Sequence, residues 1–396
     1  MNKLVKFVCI TSLGLCSICP CFAGFKEHFD LGQQYLSNFQ YSGAITEFKS
    51  ALRINYLDNS ARLGLINSYL ARATYYANTD HDYKKAGDDY RAALFYLTIY
   101  PNANQVKNSA QTIVLVSSNL NKCLNAIDFD TSAQNRYATA KQLRAEGNFA
   151  SAGYEFNQAL SDENFVKDSF QQTADILKVL GNDPKAVEYY KKAVAVAPND
   201  IPLRLTYAQL LDKLGQEDAS VDEYNYILSK TTDNKDVLYT LERIYKRKLE
   251  DSPNDGSITA NLGAIMQKEG NYDEALRYYS KAEYLDPSNT NTRLNVGTLY
   301  QQKGDYKTAI TAYDFILILN PNNVQANLYK AQSLASLGDK KGALELYKKV
   351  ALLDPDNETV QADMISMVKD TMTIPQFIEY AKKNYSNNAG DILYDY

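Results

Sequence analysis

A period of 34 residues is the feature that most constrains how this chain can fold. It is clearest in three consecutive windows that start at Gly256, Thr290 and Val324. Within each window, place eight is small, place fifteen is glycine, place twenty is alanine, place twenty-four is tyrosine and place thirty-two is proline. In window order these residues are Gly263, Gly270, Ala275, Tyr279 and Pro287; Gly297, Gly304, Ala309, Tyr313 and Pro321; and Ala331, Gly338, Ala343, Tyr347 and Pro355. A fixed period of this length predicts a solenoid in which each unit packs on the next.

Each recurring residue suits a pair of antiparallel helices. A glycine at place fifteen can adopt the left-handed conformation that ends a first helix and reverses the chain. Small residues at places eight and twenty let the two helices approach closely, and the tyrosine fills the gap between them. The proline stops the second helix. The pattern therefore predicts an all-α fold built from helical hairpins.

The pattern resembles the tetratricopeptide repeat family. The residues that carry the match lie at 261–263, 270–275 and 285–287. The resemblance implies an α-solenoid, a right-handed superhelix of antiparallel helix pairs whose concave wall, lined by the first helices, binds peptides or proteins. The residues that replace the family's usual tryptophan at place four are Thr259, Arg293 and Asn327. This departure predicts that place four packs differently or is more exposed.

Less regular repeats extend toward the N-terminus. Windows start at 25, 133, 167 and 201, and residues 59–103 fit a stretched repeat with helices near 60–76 and 82–99. Single helices are expected at 104–128 and 235–250, so we place soft boundaries near 130 and 255. The predicted organisation is a signal peptide at 1–23, irregular N-terminal repeats at 24–130, central repeats ending in an extra helix at 131–255, three regular repeats at 256–357, capping helices at 358–384 and a tail at 385–396.

The first 23 residues are typical of a secretory signal peptide. Lys3 and Lys6 precede a short apolar stretch, and cleavage is expected after Ala23. The alternative is an uncleaved membrane anchor, because the apolar stretch is only slightly shorter than a membrane span. The first interpretation predicts an exported chain, periplasmic or extracellular, with no membrane span once the leader is removed.

Charge and cysteine content restrict the possible functions. The formal net charge is -5, and loss of the two leader lysines makes it -7. No basic run remains to neutralise phosphates, so we expect no nucleic-acid partner. Cys123 is the one cysteine outside the leader. It is expected to be a buried packing residue, and the alternative is an intermolecular disulfide.

Motifs for catalysis are missing from the sequence. The common phosphate-loop, dinucleotide, nucleophile-elbow and zinc-protease motifs do not occur. In the most chemical-looking cluster, Asp80-His81-Asp82, we expect Asp82 to cap a helix and His81 to be solvated, and we expect His28 to pack in the first repeat rather than to bind a metal. The sequence therefore predicts no enzyme, no catalytic or metal-binding residue and no cofactor.

The resemblance places the concave wall at places two, five, nine, twelve and thirteen. The corresponding partner-binding residues are Ala264, Gln267, Lys268, Asn291, Leu294, Thr298, Gln301, Gln302, Gln325, Leu328, Gln332 and Ser336. Amides both donate and accept hydrogen bonds, so this wall suits an extended polar peptide. The substitution Gln301→Ala is expected to leave stability unchanged.

These patterns leave three functions open, of which the third is a purely structural array that associates with itself. The first is an exported non-catalytic scaffold that binds a protein or peptide partner in its groove, in cell-envelope or secretion-related assembly. The alternative is a glycan-binding or hydrolytic envelope protein with an unrecognised helical site. The sequence does not determine the partner or the oligomeric state.

Overall fold

The structure is a computed structural model that describes residues 20–99, 109–231 and 234–354, together with 360, 362–364 and 366. Across these residues the regular secondary structure is helical, with no strand. The prediction of an all-α solenoid of helix pairs is thereby confirmed. Residues 1–19 of the predicted signal peptide, most of the predicted capping helices and the tail lie outside the described residues.

The chain divides into two compact units between Lys230 and Thr231. The helices of the first unit are α1 (Pro20–Ser37), α2 (Tyr41–Ile54), α3 (Asn59–Tyr75), α4 (Tyr83–Ile99), α5 (Ser109–Ala126), α6 (Ala133–Ala145), α7 (Phe149–Ala159), α8 (Glu163–Val179), α9 (Asp183–Val196), α10 (Ile201–Lys213) and α11 (Glu217–Lys230). Those of the second unit are α12 (Lys235–Asp251), α13 (Gly256–Lys268), α14 (Tyr272–Leu285), α15 (Thr290–Gln302), α16 (Tyr306–Leu319), α17 (Val324–Ser336) and α18 (Lys340–Leu353). The boundaries predicted near 130 and 255 stay predictions.

The helices follow the sequence period closely. Helices α13, α15 and α17 begin at the first residue of their windows, and α6 and α10 do the same in the first unit. The three regular first helices each have an N-cap side chain that accepts a hydrogen bond from a backbone N–H of the first turn. The capping residues are Asp255, Asn289 and Asn323. These N-caps satisfy backbone donors that have no partner inside the helix. The Asp-Pro and Asn-Pro segments between repeats therefore end one helix and start the next.

The tyrosines at place twenty-four form the centre of each hairpin. Tyr279, Tyr313 and Tyr347 are 0%, 0% and 2% exposed. A Cβ atom added to Gly297 would lie 2.4 Å from the Tyr313 ring, and one added to Gly263 would lie 2.7 Å from the Tyr279 ring. The small residue at place eight therefore leaves the space that the ring occupies.

Place four carries polar residues whose donor groups find acceptors inside the fold. Thr259 and Asn327 are both fully buried, and their side chains donate to backbone oxygens of the turn before the helix, at 2.7 Å for Asp255 O and 3.0 Å for Pro321 O. Arg293 instead lies with its guanidinium 3.5 Å from the centre of the Phe315 ring. Place four thus packs differently, as the sequence predicts, and in two of the three repeats it is buried rather than exposed.

The single helix α5 interrupts the regular spacing without breaking the stack. Helix α4 packs against both α5 and α7, so the hairpin of α3 and α4 contacts the next hairpin directly. The contact is close, because a Cβ atom added to Gly153 of α7 would lie 2.2 Å from the Phe95 ring of α4. Cys123 of α5 is a free thiol, 3% exposed, in the core against α4, and burial raises its pKa. The prediction of a buried packing cysteine is confirmed.

We expect Gly297→Ala to lower the free energy of unfolding by about 1–3 kcal/mol, because the added methyl group overlaps the Tyr313 ring in a core that cannot expand freely. Urea unfolding measures the change. The matched control is Gly256→Ala, at the first residue of α13, where the nearest atoms lie at an ordinary contact distance of 3.4 Å. The control should be neutral or slightly stabilising. Equal effects of the two substitutions would contradict the packing of place eight on place twenty-four.

Candidate partner-binding groove

The first helices of the second unit lie side by side. Helix α13 contacts α15, and α15 contacts α17. Side-chain bonds join them: the Gln267 amide donates to Gln302 Oε1 at 2.9 Å, and the Gln301 amide donates to the backbone oxygen of Tyr329 at 3.1 Å. The three helices therefore form one continuous wall.

Helix geometry separates the predicted groove positions into two groups. At 3.6 residues per turn, places two, nine and thirteen lie within about 40° of one another around the helix axis. Places five and twelve lie about 60° and about 80° away from the centre of that group, both on the same side. The first group points away from the hairpin partner. The second group lies toward the second helix of its own repeat, where the tyrosine at place twenty-four sits.

The exposed members of the wall come from places two and thirteen. Asn291 and Gln325 at place two, and Lys268, Gln302 and Ser336 at place thirteen, are all exposed. Within the described part of the chain, the side chains of Lys268, Asn291 and Gln325 make no hydrogen bond, and the Gln302 amide donates none. These polar groups are available to a partner.

The glutamines at place twelve are engaged inside the fold. Tyr279 donates its hydroxyl hydrogen to Gln267 Oε1 at 2.8 Å, and Tyr313 donates to Gln301 Oε1 at 2.7 Å. Because each amide also donates to the next repeat, one glutamine links its own hairpin to the following one. Burial raises the pKa of both tyrosines, so the hydroxyls stay protonated donors at ordinary pH. The expectation that Gln301→Ala leaves stability unchanged overlooked this bond and is wrong in its premise.

The remaining predicted groove residues are half-buried or buried. Gln332 donates to Asp363 Oδ2 at 3.2 Å, and that carboxylate also accepts from Tyr347 at 2.9 Å. The Thr298 hydroxyl donates to the backbone oxygen of Asn295. Leu328 is only 9% exposed and packs in the core of the second unit. The other four residues are half-buried and lie beneath the exposed side chains of the wall: Ala264, Leu294, Thr298 and Gln332.

Comparison with known families identifies the repeat. Residues 182–300 match the family described as Tetratricopeptide Repeats-Sensor, and residues 294–358 match the family described as Tetratricopeptide repeat. The segment 182–358 consists of tetratricopeptide repeats. The resemblance read from the sequence is confirmed. A comparison with curated proteins finds no match.

Several solved structures of tetratricopeptide repeat proteins are similar to this one. A tetratricopeptide repeat protein from Parabacteroides merdae has 16% identity and a TM-score of 0.32, and covers 60% of this chain and 100% of its own. Yeast Tom70 has 16% identity and a TM-score of 0.34, with 94% and 88% covered. The first repeat domain of Spaghetti (RPAP3), bound to an HSP90 peptide, has 21% identity and a TM-score of 0.29, with 30% and 94% covered. At such low similarity, function has to be inferred from this chain's own residues.

Pairs of a basic residue with a glutamate, which sequence reasoning missed, take the place of the family's tryptophan in other repeats. A basic residue at place four pairs with a glutamate nineteen residues later, so that one hairpin is clamped across its two helices. The pairs are His28 with Glu47, Arg136 with Glu155 and Arg204 with Glu223. The recurrence of a base and a glutamate at this fixed spacing is the signal that could have revealed them. His28 is thus engaged with a carboxylate rather than packed in an apolar core.

A buried ionic cluster in the first unit contains Asp88, a carboxyl whose pKa is raised. Glu155 is fully buried and accepts from Arg91 at 2.5 Å and from Arg136 at 2.8 Å. Arg91 also bonds Asp88 at 3.0 Å, and burial raises the pKa of Asp88 to about 6. Two guanidinium groups and two carboxylates balance one another here. Perturbed carboxylates can mark active sites, but this one is held in a packed ion-pair network between α4, α6 and α7.

The loop cluster that looked most chemical in the sequence is a helix start. Asp82 Oδ1 accepts from the Lys85 backbone N–H at 3.0 Å, which confirms the predicted cap. His81 is exposed and has a left-handed backbone with φ of 51° after a π-helical turn at Tyr76–Asp80.

In the described part of the chain, no group of three His, Cys, Asp or Glu residues is arranged to hold a metal ion. No described helix combines the length and apolar character needed to cross a membrane.

We expect Gln301→Ala to lower the free energy of unfolding by about 0.5–1.5 kcal/mol, because the Tyr313 hydroxyl loses its acceptor. Gln325→Ala, on the exposed wall, is the control and should change stability by less than about 0.5 kcal/mol. The double variant Gln301→Ala/Tyr313→Phe should be less destabilised than the sum of the single variants. Additive effects would show that the two side chains do not interact.

The raised pKa of Asp88 leads to a specific pH dependence. In the folded protein this carboxyl keeps its proton up to about pH 6, whereas its ordinary pKa is 3.8. The folded state therefore binds the extra proton between these values, and the stability that this group contributes falls as pH rises from about 4 to about 6. Urea unfolding at several pH values should show that the free energy of unfolding of the native protein, relative to that of Asp88→Asn, falls by on the order of 1–3 kcal/mol over this range, because asparagine resembles the protonated carboxyl and does not titrate. A constant difference would contradict the assignment.

Proposed function

We propose that this protein is an exported, non-catalytic scaffold that binds an extended protein segment on the wall formed by α13, α15 and α17. The observation that carries the proposal is the row of exposed polar side chains at places two and thirteen, in which Lys268, Asn291 and Gln325 make no side-chain hydrogen bond and the Gln302 amide donates none. Lys268, Asn291, Gln302 and Gln325 lie on three consecutive first helices. A row repeated along a stack suits a ligand that is itself extended.

The wall is rigid enough to present these groups in a fixed array. The glutamine and tyrosine bonds at place twelve hold neighbouring repeats together behind the exposed row. A preorganised surface binds with a smaller loss of side-chain and backbone freedom than a flexible one. The engaged glutamines therefore support binding indirectly, and the exposed amides make the contacts.

The chemistry of the row describes the partner. Asn291, Gln302 and Gln325 are neutral amides, which can donate to carbonyl oxygens and accept from N–H groups of a peptide backbone. Lys268 is the one charged group among the predicted wall residues, and it favours a partner with a carboxylate near that end. We propose a polar, weakly acidic, unstructured polypeptide segment as the occupant.

The leader sequence supports a role outside the cytoplasm. Residues 1–23 have the charge and apolar pattern of a secretory signal, so we propose export to the periplasm or the extracellular space and a function in cell-envelope or secretion-related assembly. The proposed scaffold uses no cofactor and no metal. The partner-binding wall and the leader are independent features, and each can be tested alone.

Site-specific photo-crosslinking in cells tests the groove. A photoreactive amino acid replaces Gln302, on the wall, and in a second strain it replaces Lys281, an exposed residue on the second helix α14. We expect a polypeptide adduct from position 302 and little or none from position 281. The additional substitutions Asn291→Arg and Gln325→Arg should reduce the adduct at position 302, because bulky charges block the neutral row.

Two outcomes of the crosslinking would reject the groove, and a separate measurement tests export. Adducts that contain only lipid or glycan would reject a protein partner. Equal adducts from positions 302 and 281 would reject the wall as the binding surface. N-terminal sequencing of the same purified protein should begin at Gly24, and a protein that keeps residues 1–23 in the cytoplasm would reject export without bearing on the groove.

A further inference from the structure

The first unit has a cleft of about 480 Å³ that is separate from the proposed groove. It lies between the turn that joins α1 to α2 and the end of α3 with its π-helical turn. Five aromatic side chains line it, and the two on the rim, Phe39 and Tyr75, are 77% and 46% exposed. The aromatic side chains of the cleft are Tyr35, Phe39, Tyr41, Tyr75 and Tyr76. Such a concentration of exposed aromatic surface in a concave site is typical of a binding site.

The backbone at Phe39 is strained. Phe39 occupies place fifteen of its repeat and has a φ of 61°, in the left-handed region that bulky residues disfavour. The other repeats with a regular turn have glycine at this place, with φ between 72° and 87°: Gly147, Gly181, Gly215, Gly270, Gly304 and Gly338. Glycine would adopt this conformation without strain, so the phenylalanine costs stability and contributes little packing in return. Strain that the fold does not need points to a function for the exposed ring.

The rings are arranged to receive a ligand between them. The Phe39 ring stands perpendicular to the Tyr41 ring, with centroids 6.4 Å apart, and Tyr75 and Tyr76 meet at 60°. Because neither pair stacks face to face, the rings of Phe39, Tyr41 and Tyr75 do not cover one another's faces, whereas Arg72 and Lys85 lie over the Tyr76 ring at 5.9 and 5.6 Å from its centre. Within the described part of the chain, the hydroxyls of Tyr35, Tyr41 and Tyr75 donate no hydrogen bond. The cleft thus combines apolar faces with free donors.

The cleft is electrically neutral. Arg72 is the one charged residue of its lining, and Asp89 binds its guanidinium through two bonds of 2.8 and 2.7 Å. Arg72 also donates to Ser42 Oγ at 2.8 Å, so the Ser42 hydroxyl hydrogen can donate outward. The lining contains no carboxylate to accept from a ligand. The complementary ligand is uncharged, presents flat apolar rings and accepts hydrogen bonds more than it donates them.

We propose that this aromatic cleft binds a proline-rich segment in the polyproline II conformation. Proline has no backbone N–H, and its carbonyl oxygens are free in this conformation because it has no internal hydrogen bonds. Pyrrolidine rings pack between aromatic side chains while tyrosine hydroxyls donate to the carbonyls. A sugar would also stack on the rings, but its hydroxyl hydrogens need acceptors that the lining does not supply in charged form.

Fluorescence anisotropy of fluorescein-labelled decaproline, titrated with the full-length protein, tests the proposal. We expect saturable binding that Phe39→Gly weakens about tenfold or more, because the substitution removes a rim ring. The same substitution should leave the melting temperature unchanged or raise it, since it relieves the backbone strain. A loss of binding without a loss of stability cannot come from unfolding.

Further variants make the result decisive. Tyr75→Ala, on the opposite rim, should also weaken binding, whereas Tyr284→Ala, an 85% exposed tyrosine of the second unit, should leave it unchanged. Absence of saturation up to millimolar protein, or equal binding by native protein and Phe39→Gly, would overturn the proposal. Saturable, Phe39-dependent binding of chitohexaose or maltohexaose without decaproline binding would reassign the cleft to a glycan. None of these outcomes depends on the groove of the second unit.

Discussion

The fold depends on a broad tyrosine ring that fits against a residue with almost no side chain. In the regular repeats the ring at place twenty-four occupies the space left at place eight, and its hydroxyl reaches the edge of the hairpin, where in the first two it finds the glutamine of place twelve. The ring buries apolar surface, and the hydrogen bond of the hydroxyl fixes the orientation of the ring. Because the same glutamine bonds the next repeat, packing inside one hairpin and stacking between hairpins are coupled through one side chain.

The sequence predicted this architecture well because its determinants are local and repeated. Turn glycines, helix-stopping prolines and small residues recur at a fixed spacing, so the starts of α13, α15 and α17 could be read directly. Asp82 was predicted as a helix cap and Cys123 as a core residue on equally local grounds. Where a residue's environment depends only on its place in the repeat, pattern is enough to predict it.

The groove was harder to predict because solvent and neighbouring repeats compete for the same amides. Gln267 and Gln301 lie at family groove positions, yet each has a tyrosine hydroxyl within reach and a neighbouring helix beside it. Their angular position around the helix axis separates them from Asn291 and Gln325, which face outward. The charged pairs that span nineteen residues, such as Arg136 with Glu155, were overlooked. A basic and an acidic residue that recur together at two distant places of the repeat are harder to notice than a single recurring glycine. The aromatic cleft depends on tertiary placement that no local pattern specifies.

Helix α5 has a consequence for how the array can change. Since α4 meets α7 directly through the tight contact of Phe95 with Gly153, and Glu155 joins Arg91 across the same junction, the line of hairpins continues as though α5 were not there. Helix α5 therefore packs on the side of α4, next to a stack of hairpins that is already continuous. A change in the length or the exposed side chains of α5 would therefore alter the surface at this point, while the contact between α4 and α7 keeps the hairpins in line.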